Sequence, residues 1–304
     1  MAPVLVIGSS NTDLVIRTNK LPTPGETVLG GAFFTAAGGK GANQAVAAAR
    51  AGAQVTFIAR MGCDDFGKRA LSAFQREGID TRWVVSDPHL PSGVAFILVD
   101  DRGENSIVVA SGANAALSPD QIHDQVYEDA EICLLQLEIP IETVVHAADL
   151  STKNETRVIL NPAPAANLPE EIWPHLFLIT PNQTETEYLT GISPNSPQNI
   201  AKAADKLLQK GAQNAIITLG AQGAFLATPD QTLHIPAFKA TSIDTTGAGD
   251  AFNGALSCAL SENQSLETAI RFACAAGALT VGKAGAQPAI PTRDQIDALL
   301  VNLP

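Results

Sequence analysis

The segment Ser242–Gly254, SIDTTGAGDAFNG, gathers residue types suited to phosphoryl chemistry. Two threonines and two glycines precede Asp250, and a helix over Ala251–Leu260 is expected to follow it. A glycine-rich turn running into a helix leaves backbone N–H groups unpaired and outward-facing, and the helix dipole adds positive potential. Such a turn suits an anion. A carboxylate beside it could accept a proton from a hydroxyl that attacks a bound phosphoryl group. Helix capping is the competing account, because Asp caps helices well. Capping alone requires neither Gly247, Ala248 and Gly249 nor the second acid at Asp244.

A second glycine-rich segment, AAGGKGANQ over Ala36–Gln44, also leads into a helix and carries Lys40 and Asn43. Close packing of a helix on a sheet would equally explain its small residues. With Asn11 and Asp13 these side chains would offer a polyol both donors and acceptors, although their spacing does not bring them together. Two familiar phosphate motifs are missing. No GxxxxGK[ST] occurs, and GSSNTD from Gly8 to Asp13 has the wrong spacing for GxGxxG, which disfavours a P-loop enzyme or a dinucleotide-binding dehydrogenase.

The elements that must position these residues are readable from periodicity. Short apolar runs at Val4–Ile7, Val55–Ala59, Ile132–Leu137, Val158–Leu160, Leu176–Thr180 and Ala215–Leu219 predict buried strands. Helices are expected between most of them, among them Ala42–Ala51, ending near Gly52, and Phe66–Glu77, ending at Gly78. Ser118, Pro119 and Gln121 form a capping-box pattern that predicts another helix. Alternating strands and helices imply an α/β fold with a doubly wound, mostly parallel sheet flanked by helices. Thr12–Arg17 and Thr27–Thr35 alternate apolar and polar residues instead, and Gly93–Val99 and Asn105–Ala110 do so around the turn Asp100–Glu104. These half-exposed strands predict a small β-sheet lid inserted from about 12–35 and 93–110 into one domain over residues 1–304. In an open parallel sheet ligands bind beyond the strand C-termini. The polar residues there are Asn11, Glu138, Asn161, Asn182, Thr218 and Gly220. They suggest a polar cleft, with loop starts and helix caps as the alternative for any one of them.

Composition narrows the function further. A formal charge of −12 over 304 residues argues against a nucleic-acid binder, yet backbone amides can bind a small anion without a basic face. Four scattered cysteines predict buried, reduced thiols rather than a disulfide framework or zinc site. No apolar stretch reaches membrane-spanning length and the N-terminus lacks a basic region, so a soluble cytoplasmic protein is expected.

At AGGKGANQA (Ala37–Ala45) and DTTGAGDAFNGAL (Asp244–Leu256) the chain resembles the PfkB carbohydrate kinase family, most closely its ribokinase branch. Further similar stretches, LPTPGET, GANAALSP, LNPAPA, ITPN, ITLG and GAQP, follow in order along almost the whole chain. The resemblance implies a ribokinase-like fold and ATP-dependent transfer of a phosphoryl group to the 5-hydroxyl of D-ribose. It also implies Asp250 as catalytic base and the amides of Gly247, Ala248 and Gly249 as the anion hole. Sugar contacts would fall on Asn11, Asp13, Gly39, Lys40, Asn43, Glu138 and Asp250. Nucleotide contacts would fall on Asn182, Thr218, Gly220, Gly223 and Gly249, with Asn182 and Glu185 matching an NxxE pattern associated with Mg²⁺. A K⁺ activator would lie near Asp244, Thr246, Thr280, Lys283 and Gly285, and a homodimer would form through the lid. Two positions depart from the family: Cys274 stands where members often carry His or Asn near adenine, and Ala289 where a serine hydroxyl helps hold the cation.

The nearest rivals are kinases of the same fold acting on deoxyribose, fructose or a nucleoside. The polar set Asn11, Asp13, Lys40 and Asn43 favours a free sugar over a nucleoside. An inactive sugar-binding regulator would be expected to have lost Asp250 or its glycines, and both are intact.

Overall fold

A computed structural model describes residues 3–301; the ends of the expected 1–304 domain, residues 1–2 and 302–304, lie outside the described residues. The first strands are β1 (Pro3–Ile7), β2 (Asn11–Arg17), β3 (Phe33–Gly38), β4 (Gln54–Ile58), β5 (Arg60–Gly62), β6 (Val85–Asp87), β7 (Gly93–Val99) and β8 (Asn105–Ala110). After them come β9 (Ile132–Leu135), β10 (Arg157–Leu160), β11 (Leu176–Ile179), β12 (Ala215–Thr218), β13 (Ala224–Ala227) and β14 (Thr232–Ile235). The helices are α1 (Lys40–Ala51), α2 (Asp65–Arg76), α3 (Ile141–Lys153), α4 (Gln183–Thr190), α5 (Pro197–Gln209), α6 (Ala248–Ser261), α7 (Leu266–Thr280) and α8 (Arg293–Val301).

Eight strands form the main sheet in the order β14-β13-β12-β11-β10-β9-β1-β4. The six from β4 to β12 are parallel, and β13 and β14 add an antiparallel edge. Strand alternation divides the core into two layers, because successive side chains point to opposite faces. Val4, Val6, Ile132 and Leu134 pack under α1, α6 and α7, whereas Leu5, Ile7, Cys133 and Leu135 pack under α3 and α5. Continuous apolar runs in β1 and β9 follow from having both faces covered.

One close approach within the first layer positions the chemistry. A Cβ on Gly254 of α6 would lie 2.4 Å from Ala47 Cβ and 2.6 Å from Gln44 O of α1. Only a glycine lets the two helix backbones cross this tightly, and the crossing sets the N-terminal turn of α6 beside that of α1.

A second, four-stranded sheet has the order β3-β2-β7-β8, with β2 and β7 parallel and both outer pairs antiparallel. One of its faces exposes large apolar side chains, including Phe33 at 61%, Phe96 at 51% and Val108 at 68%. A two-stranded pair, β5 and β6, completes the strands.

Several expectations change. The alternating run Thr27–Thr35 is not a strand throughout; β3 begins only at Phe33 and continues to Gly38, since Gly30 and Gly31 supply no side chains to pair. Ser118 does form its capping box with Gln121, but it starts a single 3₁₀ turn, Pro119–Gln121, and no α-helix follows. A capping box satisfies the first amides of a helix without supplying an apolar stripe to extend it. Helix α1 begins at Lys40 and α6 at Ala248, each earlier than periodicity indicated. All four cysteines are free, and Cys63 is exposed rather than buried. Among the described residues no helix is long and apolar enough to cross a membrane.

Candidate active site

The crevice lies beyond the C-terminal ends of the parallel strands. Strand β1 delivers Ser9 and Asn11, β9 delivers Gln136 and Glu138, β10 delivers Asn161, and β11 delivers Thr180 and Asn182. Helices α1 and α6 enter it with their N-termini, each started by a glycine at positive φ: Gly39 at 89° and Gly247 at 77°.

Asp250 sits in the first turn of α6 and is buried. It caps nothing. Its Oδ2 accepts a hydrogen bond from Asn43 Nδ2 at 2.9 Å, and its Oδ1 accepts one from Gln44 Nε2 at 3.0 Å. A hydrogen bond to a charged group contributes about 1.5–3 kcal/mol, so these two donors offset part of the desolvation. Burial nevertheless pushes the carboxyl up, with Glu138 adding to the rise against the pull of Lys40 and the two amides. The result is a carboxylate of strengthened basicity held at a helix N-terminus.

Around it, Glu138 Oε2 accepts from Ser9 Oγ at 2.5 Å and from the Lys40 amide at 2.9 Å. The Lys40 ammonium makes no ion pair among the described residues. Burial works against its charge, but Asp250, Glu138 and Glu185 together outweigh that and hold its pKa above the usual lysine value. Its positive charge therefore remains available to a ligand. Asp13 is half-buried and pushed up to about 6 by desolvation, then by Glu138 and Asp250. The bare Gly38 opposite leaves room for it, because a Cβ there would lie 2.3 Å from Asp13 Oδ1. Asn11 is buried and accepts from Asn114 Nδ2 at 2.8 Å. Asp13, Lys40, Asn43, Glu138 and Asp250 thus converge, linked by these bonds and mutual fields, and Gly39 packs on Asn11, where a Cβ would lie 2.6 Å from the Asn11 backbone nitrogen. Asn43 Oδ1 is a buried acceptor with no partner among the described residues, so a ligand hydroxyl would satisfy it.

The backbone at the turn before Asp250 is partly committed. The Ala248 amide donates back to Thr245 O at 3.3 Å, whereas the amides of Gly247 and Gly249 have no acceptor among the described residues. Two free donors at a helix N-terminus are the kind of group that can meet an anion.

Asn182 caps α4 and exchanges bonds with Glu185 in a capping box, its side chain accepting from the Glu185 amide at 2.9 Å. Glu185 Oε2 accepts from the Asn182 amide at 2.8 Å. Burial raises Glu185, the Asn182 bond and Lys40 lower it, and Asp250 raises it again. The other Glu185 oxygen, Oε1, accepts from Asn182 Nδ2 at 2.8 Å, so the whole carboxylate is held on Asn182. Asn182 bridges Thr218, and the turn Gly220–Gln222 with Gly223 follows directly, so this expected group also assembles. Gly223 is required structurally as well: its Cβ would stand 2.0 Å from Ile235 O.

Asp244 ties two loops together. Its Oδ1 accepts from the Thr246 amide at 2.9 Å and its Oδ2 from the Gly285 amide at 2.8 Å. The Lys283 amide bonds Thr280 O, and the Thr280 hydroxyl is turned onto Ala276 O at 2.9 Å. Only one carboxylate is present in this loop pair, and no cluster of three His, Cys, Asp or Glu side chains occurs among the described residues. One acid without such a cluster does not make a transition-metal site. Cys274 is buried, its thiol pushed up to about 12 by desolvation. Ala289 is buried in a 3₁₀ turn.

Sequence reading stopped at Asn43 and missed its neighbour Gln44. It also missed Gln136, Asn114 and Asn253, whose side chain accepts from Thr180 Oγ1 at 2.6 Å and donates to Gly249 O at 2.9 Å. Gln136 stood as a polar break inside the apolar run Ile132–Leu137, which was a signal for it; nothing local marked the others.

Residues 1–293 match the profile of the pfkB family carbohydrate kinases. A ribokinase of Haemophilus influenzae is 47% identical over 292 residues, covering 95% of each chain. A deoxyribokinase of Salmonella typhi is 40% identical over 301 residues, covering 98% of each. The solved structure of Arabidopsis thaliana ribokinase complexed with ribose and ATP is 33% identical and has a TM-score of 0.92, covering 99% of each chain.

Proposed function

The chain belongs to the pfkB family of carbohydrate kinases and is an ATP-dependent sugar kinase, and from that premise we propose that it phosphorylates D-ribose at the 5-hydroxyl with Asp250 as base. The observation that carries the chemistry is the buried Asp250 carboxylate, held by two amide donors beside the free amides of Gly247 and Gly249. The sugar oxygen attacks the γ-phosphorus of ATP, its proton passes to Asp250, and the bond to the β,γ-bridging oxygen breaks to release ADP. The glycine amides, with Ala248 between them, meet the charge that develops on the transferred group. Lys40, with no ion pair of its own, orients the sugar and offsets the crowd of acids around it. Asn11, Asp13, Gly39, Asn43 and Glu138 bind the remaining hydroxyls, and the unpartnered Asn43 Oδ1 supports this reading.

Asn182, Thr218, Gly220, Gly223 and Gly249 line the nucleotide side. Glu185 would hold Mg²⁺, largely through water, and the ion would neutralise phosphate charge. The Asp244 loop pair would hold K⁺ with the backbone of Thr246, Thr280, Lys283 and Gly285. Its clamp on the turn leading to Gly247 links that site to the anion hole.

The four-stranded sheet acts as a lid on a single domain, excluding water during transfer. Its exposed Phe33, Phe96 and Val108, which share one face, would be covered by a second copy in a homodimer. A cytoplasmic setting fits the four free thiols. Deoxyribose is the second reading, favoured by the Salmonella typhi relative.

The test is Asp250→Asn, assayed for sugar-dependent ADP release and for ribose binding by calorimetry. Turnover should fall by at least about 10³-fold while binding changes little; substantial retained turnover removes Asp250 from the role of base. A panel of pentoses, deoxyribose, fructose and nucleosides decides the substrate, and no ADP release with any pentose refutes the assignment.

A further inference from the structure

Behind Asp250 lies a row of buried amides, of which only the first, Gln44, touches the carboxylate. Gln136 Nε2 donates to Gln44 Oε1 at 2.7 Å, and Gln44 Nε2 donates to both Asp250 Oδ1 and Asn161 Oδ1 at 3.0 Å. Asn161 Nδ2 in turn donates to Thr180 O at 3.2 Å. Gln44 and Gln136 are wholly buried and Asn161 nearly so.

The bonds fix which end of the Asn161 and Gln44 amides points where, whereas Gln136 keeps its Oε1 buried without a partner among the described residues. A backbone carbonyl can only accept, so Asn161 turns its nitrogen to Thr180 O and its oxygen to Gln44. Gln44 then meets two acceptors on one side and the Gln136 donor on the other. A flipped Gln44 would set oxygen against both the Asp250 and Asn161 oxygens. Gln44 therefore has one tolerable orientation, with N–H aimed at the carboxylate.

We propose that Gln44 is a positioning residue for phosphoryl transfer: locked by Gln136 and Asn161, it holds the Asp250 carboxylate in the one orientation from which it takes the sugar proton. This rests on the reading of Asp250 as base. The Gln44 bond also favours the ionised carboxylate, opposing burial. The charged groups whose fields reach Asp250 are Lys40, which favours ionisation, and Asp13, Glu138 and Glu185, which oppose it. Asn43 alone, donating to the other oxygen, would leave the carboxylate free to swing about that single bond.

The decisive variant is Gln44→Met, of similar length and without a donor. Steady-state kinetics are followed from pH 5 to 9 as a ratio to the unaltered enzyme, so that the titration of ATP cancels. The expected result is a kcat lowered about 10–100-fold, a sugar KM changed less than about threefold, and an acid limb moved up by about one pH unit. A purely structural role would lower activity equally at every pH. An unmoved acid limb overturns the proposal. Should Gln44→Met not fold, Gln136→Met decides, since it leaves Gln44 in place but unlocks its oxygen. It should move the limb in the same direction by less, and an unmoved limb there overturns the proposal equally. Asp250→Asn is run alongside. Retained turnover in that variant refutes the base itself, whereas an inactive Asp250→Asn with an unmoved limb in Gln44→Met refutes only the role of Gln44.

Discussion

Replacing Asp13 by Asn is expected to stabilise the sugar-free protein above pH 6 while weakening its hold on sugar. Asp13 has no hydrogen-bond donor to its carboxylate among the described residues, and it shares the crevice with Glu138 and Asp250. Desolvation first, then those two acids, raise it from 3.8 to about 6. Between those values the folded chain keeps a proton that the unfolded chain has released, so stability falls as pH rises through that window. Above about pH 6 the cost is fully present, and two units correspond to on the order of 3 kcal/mol. Asn at this position carries no charge to desolvate. Chemical denaturation of both proteins at pH 4 and pH 8 should give curves that nearly coincide at the lower pH. At pH 8 the variant should be more stable by roughly 1–3 kcal/mol. Taking the difference between the proteins cancels the titrating groups that Asp13 does not touch, leaving Asp13 with its coupling to Glu138 and Asp250. Sugar affinity should fall about 10–100-fold, because a charge-assisted bond to a hydroxyl is replaced by a neutral one. An equal difference at both pH values, or a variant less stable at pH 8, would refute the account of Asp13 as an unpaired, field-raised acid.

Gly254→Ala should lower both stability and kcat, since its methyl would lie 2.4 Å from Ala47 Cβ and force α6 away from α1. A loss of about 1–3 kcal/mol in denaturation is expected, together with a fall in turnover from separating Asp250 from Gln44; unchanged kcat with lowered stability would uncouple the crossing from the site. Asp244→Asn should remove one of the two amide bonds that Asp244 accepts from Thr246 and Gly285. The ratio of activity with K⁺ to activity without it should then approach one, and an unchanged K⁺ response would place the cation elsewhere.

The parallel strands, most helices and the second sheet were legible because each follows from a local rule: a short apolar run, period near four, period two, or a glycine where an element stops. The run at Thr27–Thr35 misled for the same reason, since alternation has no meaning across Gly30 and Gly31, which have no side chains, and the strand runs from Phe33 to Gly38. Ser118 misled because a satisfied cap is also local, and says how a helix could start without saying that one continues.

The two glycine-rich segments were marked by composition before any fold was known, and Asp250 with them. Sequence by itself determined that a glycine-rich turn leading into a helix carries an acid, and that polar residues stand at the strand ends. Only the tertiary structure decided what that acid is bonded to. Gln44 and Asp250 are 206 positions apart, and Gln44 and Gln136 are 92 apart. Such pairs are set by the crossing of α1 over α6 at Gly254 and by the register of β9 and β10, neither of which leaves a periodic trace. Spacing along a chain records the geometry of one element, whereas the basicity of Asp250 depends on burial and on amides contributed by other elements.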